Sequence, residues 1–228
     1  SNLAEVMPAM PMQAPATTAP SSNGVFQVTN FNEAINAASF LSGSSLVPTD
    51  YRRWVPVKNQ YGKAMTNADG TPQLMENPNA TSNCLIALNM ANRMGYDPLM
   101  IMQNLYIIEG RPAWSSQFII AAINACGKFD PLQFEIVNEG EKEIEYVNSY
   151  WENGKKLSNQ ATVKLENLTC IAWTTDKKGN RLQSDKISME MAVKEGWYQK
   201  NGSKWQTMAG QMLRYRAAAF FGRIYAPE

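Results

Sequence analysis

Apolar and polar positions divide the chain into stretches of different period. Residues 31–126 show helical spacing with breaks, 132–187 alternate with period two, and 188–228 return to helical spacing. Phe31, Ile35, Ala38 and Leu41 share one side of a predicted helix over 31–41, ended by Gly43. Residues 46–72 read as irregular, interrupted by Pro48, Pro56, Gly62 and Gly70. Ser82 or Asn83 is placed to cap a helix through Cys84, Leu85, Leu88, Ala91 and Met94, with Gly95 as its left-handed terminator. Asp97-Pro98 restarts a short helix over 99–103, because proline is tolerated in a first turn. Residues 105–108 then read as a strand, Glu109-Gly110 as a turn and 111–114 as a return arm. Ser115 or Ser116 caps a helix over 117–126, closed by Gly127. This unit places Arg111 and Trp114 at an edge or mouth rather than in a core.

The period-two stretch carries Phe134, Ile136, Ile144, Tyr146, Val163, Leu165, Leu168, Cys170, Ala172 and Leu182. Turn signals stand at Asn138-Glu139-Gly140, at Asn153-Gly154 (a type I′ hairpin signal) and at Lys178-Gly179-Asn180. Glu141, Glu143 and Glu145 share one strand face, expected to be solvated. Ser188 caps a short helix with Glu190 in its first turn, ended by Gly196. Residues 1–30, punctuated by Pro8, Pro11, Pro15 and Pro20, read as a disordered or loosely docked arm. The fold class expected is therefore α+β: an antiparallel β-meander of hairpins packed with helices. It forms one core domain over 31–228 and carries a long C-terminal helix.

That last helix is expected to run from 205 to 225, stopped by Pro227. At 100° per residue Trp205, Met212, Arg216, Ala219 and Arg223 fall on one side, with Arg214 and Phe221 opposite. Arg216 and Arg223 are seven residues apart, about 10.5 Å along the axis. No acid lies between Lys204 and Glu228. Two readings follow: arginines snorkelling from a core helix, or a lane along which a polyanion lies.

Charge sharpens the choice. The net charge is only +1, but residues 1–150 carry 8 Lys/Arg against 13 Asp/Glu, and residues 151–228 carry 13 against 7. Cations there and in the hairpin are interleaved with aromatics: Tyr106/Arg111/Trp114, Lys128/Phe129, Trp197/Tyr198/Lys200/Lys204/Trp205 and Arg214/Tyr215/Arg216/Phe220/Arg223. Single-strand binding uses this combination, cations along phosphates and π-faces against bases. Several chemistries lack their parts. There is no histidine and no CxxC pair, so zinc sites and His-based acid–base catalysis are not expected. Gly62-Lys63, Gly127-Lys128 and Gly154-Lys155 each lack the upstream glycine of a phosphate-binding loop, and no dinucleotide fingerprint is present. Cys84, Cys126 and Cys170 sit in apolar runs and read as buried free thiols of a reducing compartment. No apolar run approaches the roughly 18 residues of a membrane span.

Two stretches resemble the RecT-like single-strand annealing proteins of phages, relatives of the lambda Red beta protein. One runs from Asn83-Cys84-Leu85-Ile86 through Gly95-Tyr96-Asp97-Pro98 and Gly110-Arg111-Pro112-Ala113-Trp114 to Cys126-Gly127-Lys128-Phe129. The other runs from Glu195-Gly196-Trp197 through Lys204-Trp205 and Leu213-Arg214-Tyr215-Arg216 to Arg223-Ile224-Tyr225-Ala226-Pro227-Glu228. Together they span most of residues 83–228, whereas 1–80 match only loosely.

The resemblance implies an ATP-independent recombinase that needs no cofactor. Such a protein coats single-stranded DNA, forms rings or helical filaments of identical subunits, and holds the annealed duplex intermediate in the cytoplasm of a bacterial host. It implies phosphate contacts for Arg216 and Arg223 and a basic groove walled by the terminal helix. Lys204 and Trp205 match the helix entrance and Arg111 and Trp114 the hairpin, while Tyr106 and Lys128 complete the candidate DNA-binding set. Arg214 matches a basic position but points elsewhere, toward a subunit contact or second strand. Family members extend past this point to recruit an exonuclease or the host single-strand-binding protein. This chain stops at Glu228, so the expectation is the DNA-binding core alone. Two alternatives stay open: a single-strand binder without annealing activity, and a phage assembly protein whose arginine helix is an interface.

Overall fold

The computed structural model describes residues 28–227 other than Glu109 and Asn153. The expected N-terminal arm therefore lies outside the described residues except for its last three. Contacts gather in two compact units, Ser1–Gln103 and Asn104–Glu228. That boundary falls inside the stretch read from sequence as one domain.

The first unit is built on α1 (Phe31–Ser42) and α2 (Ala80–Met94), which pack together. Asn30 caps α1 by accepting from the Glu33 amide. Only Ala38, Leu41 and Ser42 of α1 are buried; Phe31 is 67% exposed and Ile35 37%, so the predicted apolar face is covered only at its C-terminal end. Helix α2 starts at Ala80, earlier than a Ser82 or Asn83 cap allows. The reason is that the Asn83 side chain is used elsewhere: its Nδ2 donates to the Asp50 carbonyl at 2.9 Å. Gly95 ends α2 in the left-handed region, as expected. Pro98 opens α3 (Pro98–Asn104), whose first amides, of Leu99 and Met100, donate to Asp97 Oδ1. The segment read as irregular contains a 3-10 turn, Thr49–Tyr51, and a strand β1 (Trp54–Pro56) that pairs with β2 (Leu74–Glu76).

In the second unit, β3 (Leu105–Ile108) and β4 (Arg111–Trp114) form the predicted hairpin, and Ser115 caps α4 (Ser116–Ala125) by accepting from the Phe118 amide. Strands β5 (Gln133–Glu152) and β6 (Lys155–Thr175) make one long antiparallel ribbon. Strand β6 is central: its other edge pairs with β7 (Arg181–Gln183) and β8 (Ile187–Ser188). The period-two stretch is thus two long strands followed by two short ones, rather than short strands throughout. The turn expected at Asn138–Gly140 is a bulge within β5. Asn138 Oδ1 accepts from the Gly140 amide and Gly140 takes φ +91°, but pairing with β6 resumes at Glu141. The hairpin expected at Asn153-Gly154 has its two-residue connection, between paired Glu152 and Lys155. Glu141, Glu143 and Glu145 are exposed, as read. Among the described residues no helix is long and apolar enough to cross a membrane.

Helix α5 (Met189–Lys194) is capped by Ser188 and tied to β5 where Glu190 pairs with Lys142 and Lys194. The terminal helix is broken. Residues 204–207 form α6 (Lys204–Thr207), Met208 leaves helical geometry at φ −139°, ψ 43°, and α7 (Ala209–Tyr225) follows. Trp205 is 4% exposed and packs against Trp197 with ring centroids 5.4 Å apart. Burying an indole is worth at most roughly 4–6 kcal/mol, against about 0.5–1.5 kcal/mol for each helix hydrogen bond given up. Packing therefore outweighs helix continuity. The core joins Ile123 of α4, Cys170 and Ala172 of β6, Ile187 of β8, Ala192 of α5 and Leu213, Ala217, Ala218 and Phe221 of α7. Gly222 admits α4 closely: a methyl there would stand 3.1 Å from Ile119 Cγ2.

Candidate nucleic-acid interface

Leu213, Ala217 and Phe221 recur at i, i+4 and i+8 and fix which side of α7 faces the core. The remaining side carries Met212, Tyr215, Arg216, Ala219 and Arg223. With Trp205 and with Ser116, the first residue of α4, four of these line a pocket of about 160 Å³: Met212, Tyr215, Arg216 and Ala219. The face predicted by helical periodicity is thus the face that meets this pocket, despite the break at Met208. The Tyr215 hydroxyl accepts from Gln117 Nε2 of α4 at 3.2 Å and from Gln211 Nε2, which ties the start of α4 to α7.

Arg216 is half-buried, its guanidinium carbon 3.8 Å from the centroid of the Trp197 ring. Burial pulls its pKa below the ordinary arginine value, the positive charge of Arg223 pulls it further, and Glu195 opposes both. The two cations therefore feel one another across the turns that separate them. Among the described residues neither forms an ion pair. A phosphate placed beside them would relieve both the repulsion and part of the desolvation cost. Arg223 is exposed. The arrangement offers a planar, pre-oriented fork and a second, exposed cation on one helix face, with small Ala219 between them.

The other candidates separate. Arg214 is exposed on another side of α7, where its Nη1 donates to the Gly210 carbonyl at 3.4 Å and its charge opposes the upward push that burial gives the Cys170 thiol. That agrees with its place on the helical wheel. Lys204 is exposed at the start of α6. Trp205 lines the pocket but is buried in the core, 4% exposed and packed against Trp197, which leaves little of its ring for a base. In the hairpin, register puts Tyr106 opposite Ala113 and Arg111 opposite Ile108, so these two residues share a face; Trp114 pairs with Leu105 on the other. Trp114 is half-buried and stacks on Phe118 with centroids 4.5 Å apart, and Tyr106 is 48% exposed. Arg111 and Lys128 are exposed, and none of these hairpin and loop residues lines the pocket. Two of the three expected buried thiols are buried, Cys84 and Cys170; Cys126, just past the end of α4, is exposed.

Sequence reasoning missed Trp197 as the platform under Arg216, and Ser116 and Tyr215 as pocket walls. Helical spacing alone reaches Tyr215, one position from Arg216, but nothing in the spacing pairs Trp197 with Arg216. Comparison with protein families, curated proteins and solved structures finds no match to this chain.

Proposed function

We propose that this chain is an ATP-independent single-strand annealing protein that binds single-stranded DNA along its phosphate backbone, oligomerises on it and promotes pairing with a complementary strand. The observation that supports this reading most is the pair Arg216 and Arg223 on the pocket face of α7, without an ion pair among the described residues, with Arg216 held over Trp197. The sequence resemblance to RecT-like proteins supplies the annealing activity and the ring or filament assembly.

The physical logic needs no nucleotide hydrolysis. Base pairing and stacking are downhill, about 1.4 kcal/mol for an average step. Two strands fail to meet quickly because their phosphates repel. A row of arginines releases counterions from the first strand and lowers that repulsion. Contacts confined to phosphates leave base edges free to be read by the incoming strand.

The test mixes labelled complementary oligonucleotides with the protein, without ATP, and follows duplex formation. Acceleration over protein-free strands supports annealing. Binding without acceleration reduces the protein to a single-strand binder, and neither result leaves α7 as an assembly interface.

A further inference from the structure

The first unit carries a second basic and aromatic surface. Residues 51–68 contain Arg52, Arg53, Lys58 and Lys63 and no acid. They stand in a half of the chain that is otherwise acidic: of the five Lys/Arg between residues 28 and 103, these are four, Arg93 being the other.

The structure builds this stretch into an arm. Three short segments close on one another through Val57 N to Gln73 O at 2.8 Å, Gln73 N to Met65 O at 2.9 Å and Met65 N to Val57 O at 2.8 Å. No residue from Arg52 to Glu76 is buried, so backbone bonds and side-chain-braced turns hold the arm in place of a core. At one tip Asn59 Oδ1 accepts from the amides of Tyr61 and Lys63, and Gly62 takes φ +76°.

That turn holds Tyr61 out at 83% exposure between Lys58 and Lys63, and Trp54 is 54% exposed on β1. The acids of the arm are already engaged. Glu76 pairs with Arg53 at 3.0 Å, and Asp69 accepts from the Thr71 amide and hydroxyl inside the second turn. Arg52 donates to the carbonyls of Val47 and Ser45. Among the described residues no carboxylate pairs with Lys58 or Lys63.

An exposed aromatic flanked by unpaired cations, on a scaffold with nothing buried beneath it, matches a phosphate backbone and the π-face of an unstacked base. Charge complementarity selects a polyanion as the occupant; a second copy of the chain, which offers the exposed Glu141, Glu143 and Glu145, is the competing occupant that sedimentation tests below.

We infer that the arm of residues 54–76 is a further contact for single-stranded DNA, with Lys58 and Lys63 on phosphates and Tyr61 stacked on a base. This rests on the reading of the protein as a single-strand binder, but it uses none of the residues of α7.

The test follows anisotropy of a fluorescent oligothymidine of roughly 30 nucleotides, titrated with the full chain from about 50 to about 200 mM KCl. Lys58→Ala/Lys63→Ala should lower the log–log salt slope by about 1.4, two single-strand phosphate contacts at about 0.7 each. Tyr61→Ala should weaken binding about tenfold, and Tyr61→Phe, which keeps the ring, should restore it. Because Lys58, Tyr61 and Lys63 are exposed, circular dichroism of each variant should match the parent.

If the lysine variant keeps the parental slope while Arg216→Ala/Arg223→Ala lowers it, the arm proposal falls and the α7 reading stands. The reverse pattern supports the arm and removes α7. A parent that binds no oligothymidine removes both. A lysine variant that changes sedimentation of the DNA-free protein but not the salt slope makes the arm a contact between copies, and overturns the proposal.

Discussion

Arg216 and Arg223 should respond differently to the same substitution, because one is packed and the other is not. Arg216 sits 3.8 Å over the Trp197 ring and is half-buried; Arg223 is exposed. A cation–π contact is worth about 0.5–1 kcal/mol at the surface and about 2 kcal/mol or more when desolvated, so the half-buried case lies near 1 kcal/mol. Arg216→Ala should therefore lower the melting temperature of the unit that holds α7 by roughly 3–6 °C. Arg223→Ala should leave it within about 1 °C. Binding should not separate them. Each loses about one phosphate contact on single-stranded DNA, a change of about 0.7 in the log–log salt slope. Over a fourfold rise in salt that makes the variant's loss of binding about 2.6-fold smaller than the parent's. Arg216→Lys keeps the charge but not the planar face. It should hold the slope while giving up part of the thermal stability. The assays are differential scanning fluorimetry and anisotropy titrations with a labelled oligonucleotide at several salt concentrations. An Arg223→Ala protein with the parental slope refutes the phosphate lane. An Arg216→Ala protein with a lower melting temperature and the parental slope makes Arg216 a clamp on Trp197 and nothing more.

Three further expectations concern the scaffold. Gly222→Leu should destabilise by at least about 1–3 kcal/mol, since even a methyl there meets Ile119 at 3.1 Å. Gly222→Ala should stay within about 1 kcal/mol of the parent because helix propensity offsets the squeeze. Urea midpoints at unchanged m-value decide both, and a Leu variant as stable as the parent contradicts the close approach of α4 and α7. The pKa of Glu190 is lowered first by Lys142 and then by Lys194. A carboxylate with a depressed folded pKa contributes stability above its unfolded value, about 4.3, and loses it as pH falls through the lower folded value. Glu190→Gln should therefore be less stable at neutral pH and show a flatter acid limb in urea midpoints, and an unchanged limb argues against the pairing. Native alkylation followed by intact-mass measurement should modify Cys126 alone, because burial pushes Cys84 and Cys170 to about 11. Rapid labelling of either buried thiol in folded protein overturns that assignment.

Most elements were legible because their signals are local. Gly95, the Asp97-Pro98 restart, the Ser115 and Ser188 caps and the Asn153-Gly154 connection each act within a few residues, and the α+β architecture follows from them. Two errors came from long-range packing. Asn138-Glu139-Gly140 has the chemistry of a turn, but β6 continues past it and keeps β5 extended through the bulge. Residues 205–225 have no breaker at Met208, and the helix yields there because Trp205 is held against Trp197. The arginine face survived that break because every residue on it except Trp205 lies within α7.

Aromatic residues near cations were the least legible part of the site, and the reason bears on mechanism. Sequence proximity grouped Tyr106, Arg111 and Trp114, yet residues three apart in a strand lie on opposite faces, and Trp114 turns to Phe118. Trp205 and Trp197 are likewise committed to packing, the second as the platform for Arg216. The α7 face therefore presents cations whose neighbouring indoles already have partners. Tyr215, the other ring on that face, is half-buried and has its hydroxyl engaged by Gln117 and Gln211, so such a face is better suited to a phosphate backbone than to bases. If α7 lines the DNA site, the strand it holds stays free to pair, which suits annealing better than sequestration. Sequestration by base stacking would need fully exposed rings at that face, whereas Tyr215 there is half-buried and the exposed ring of the hairpin, Tyr106, does not line its pocket.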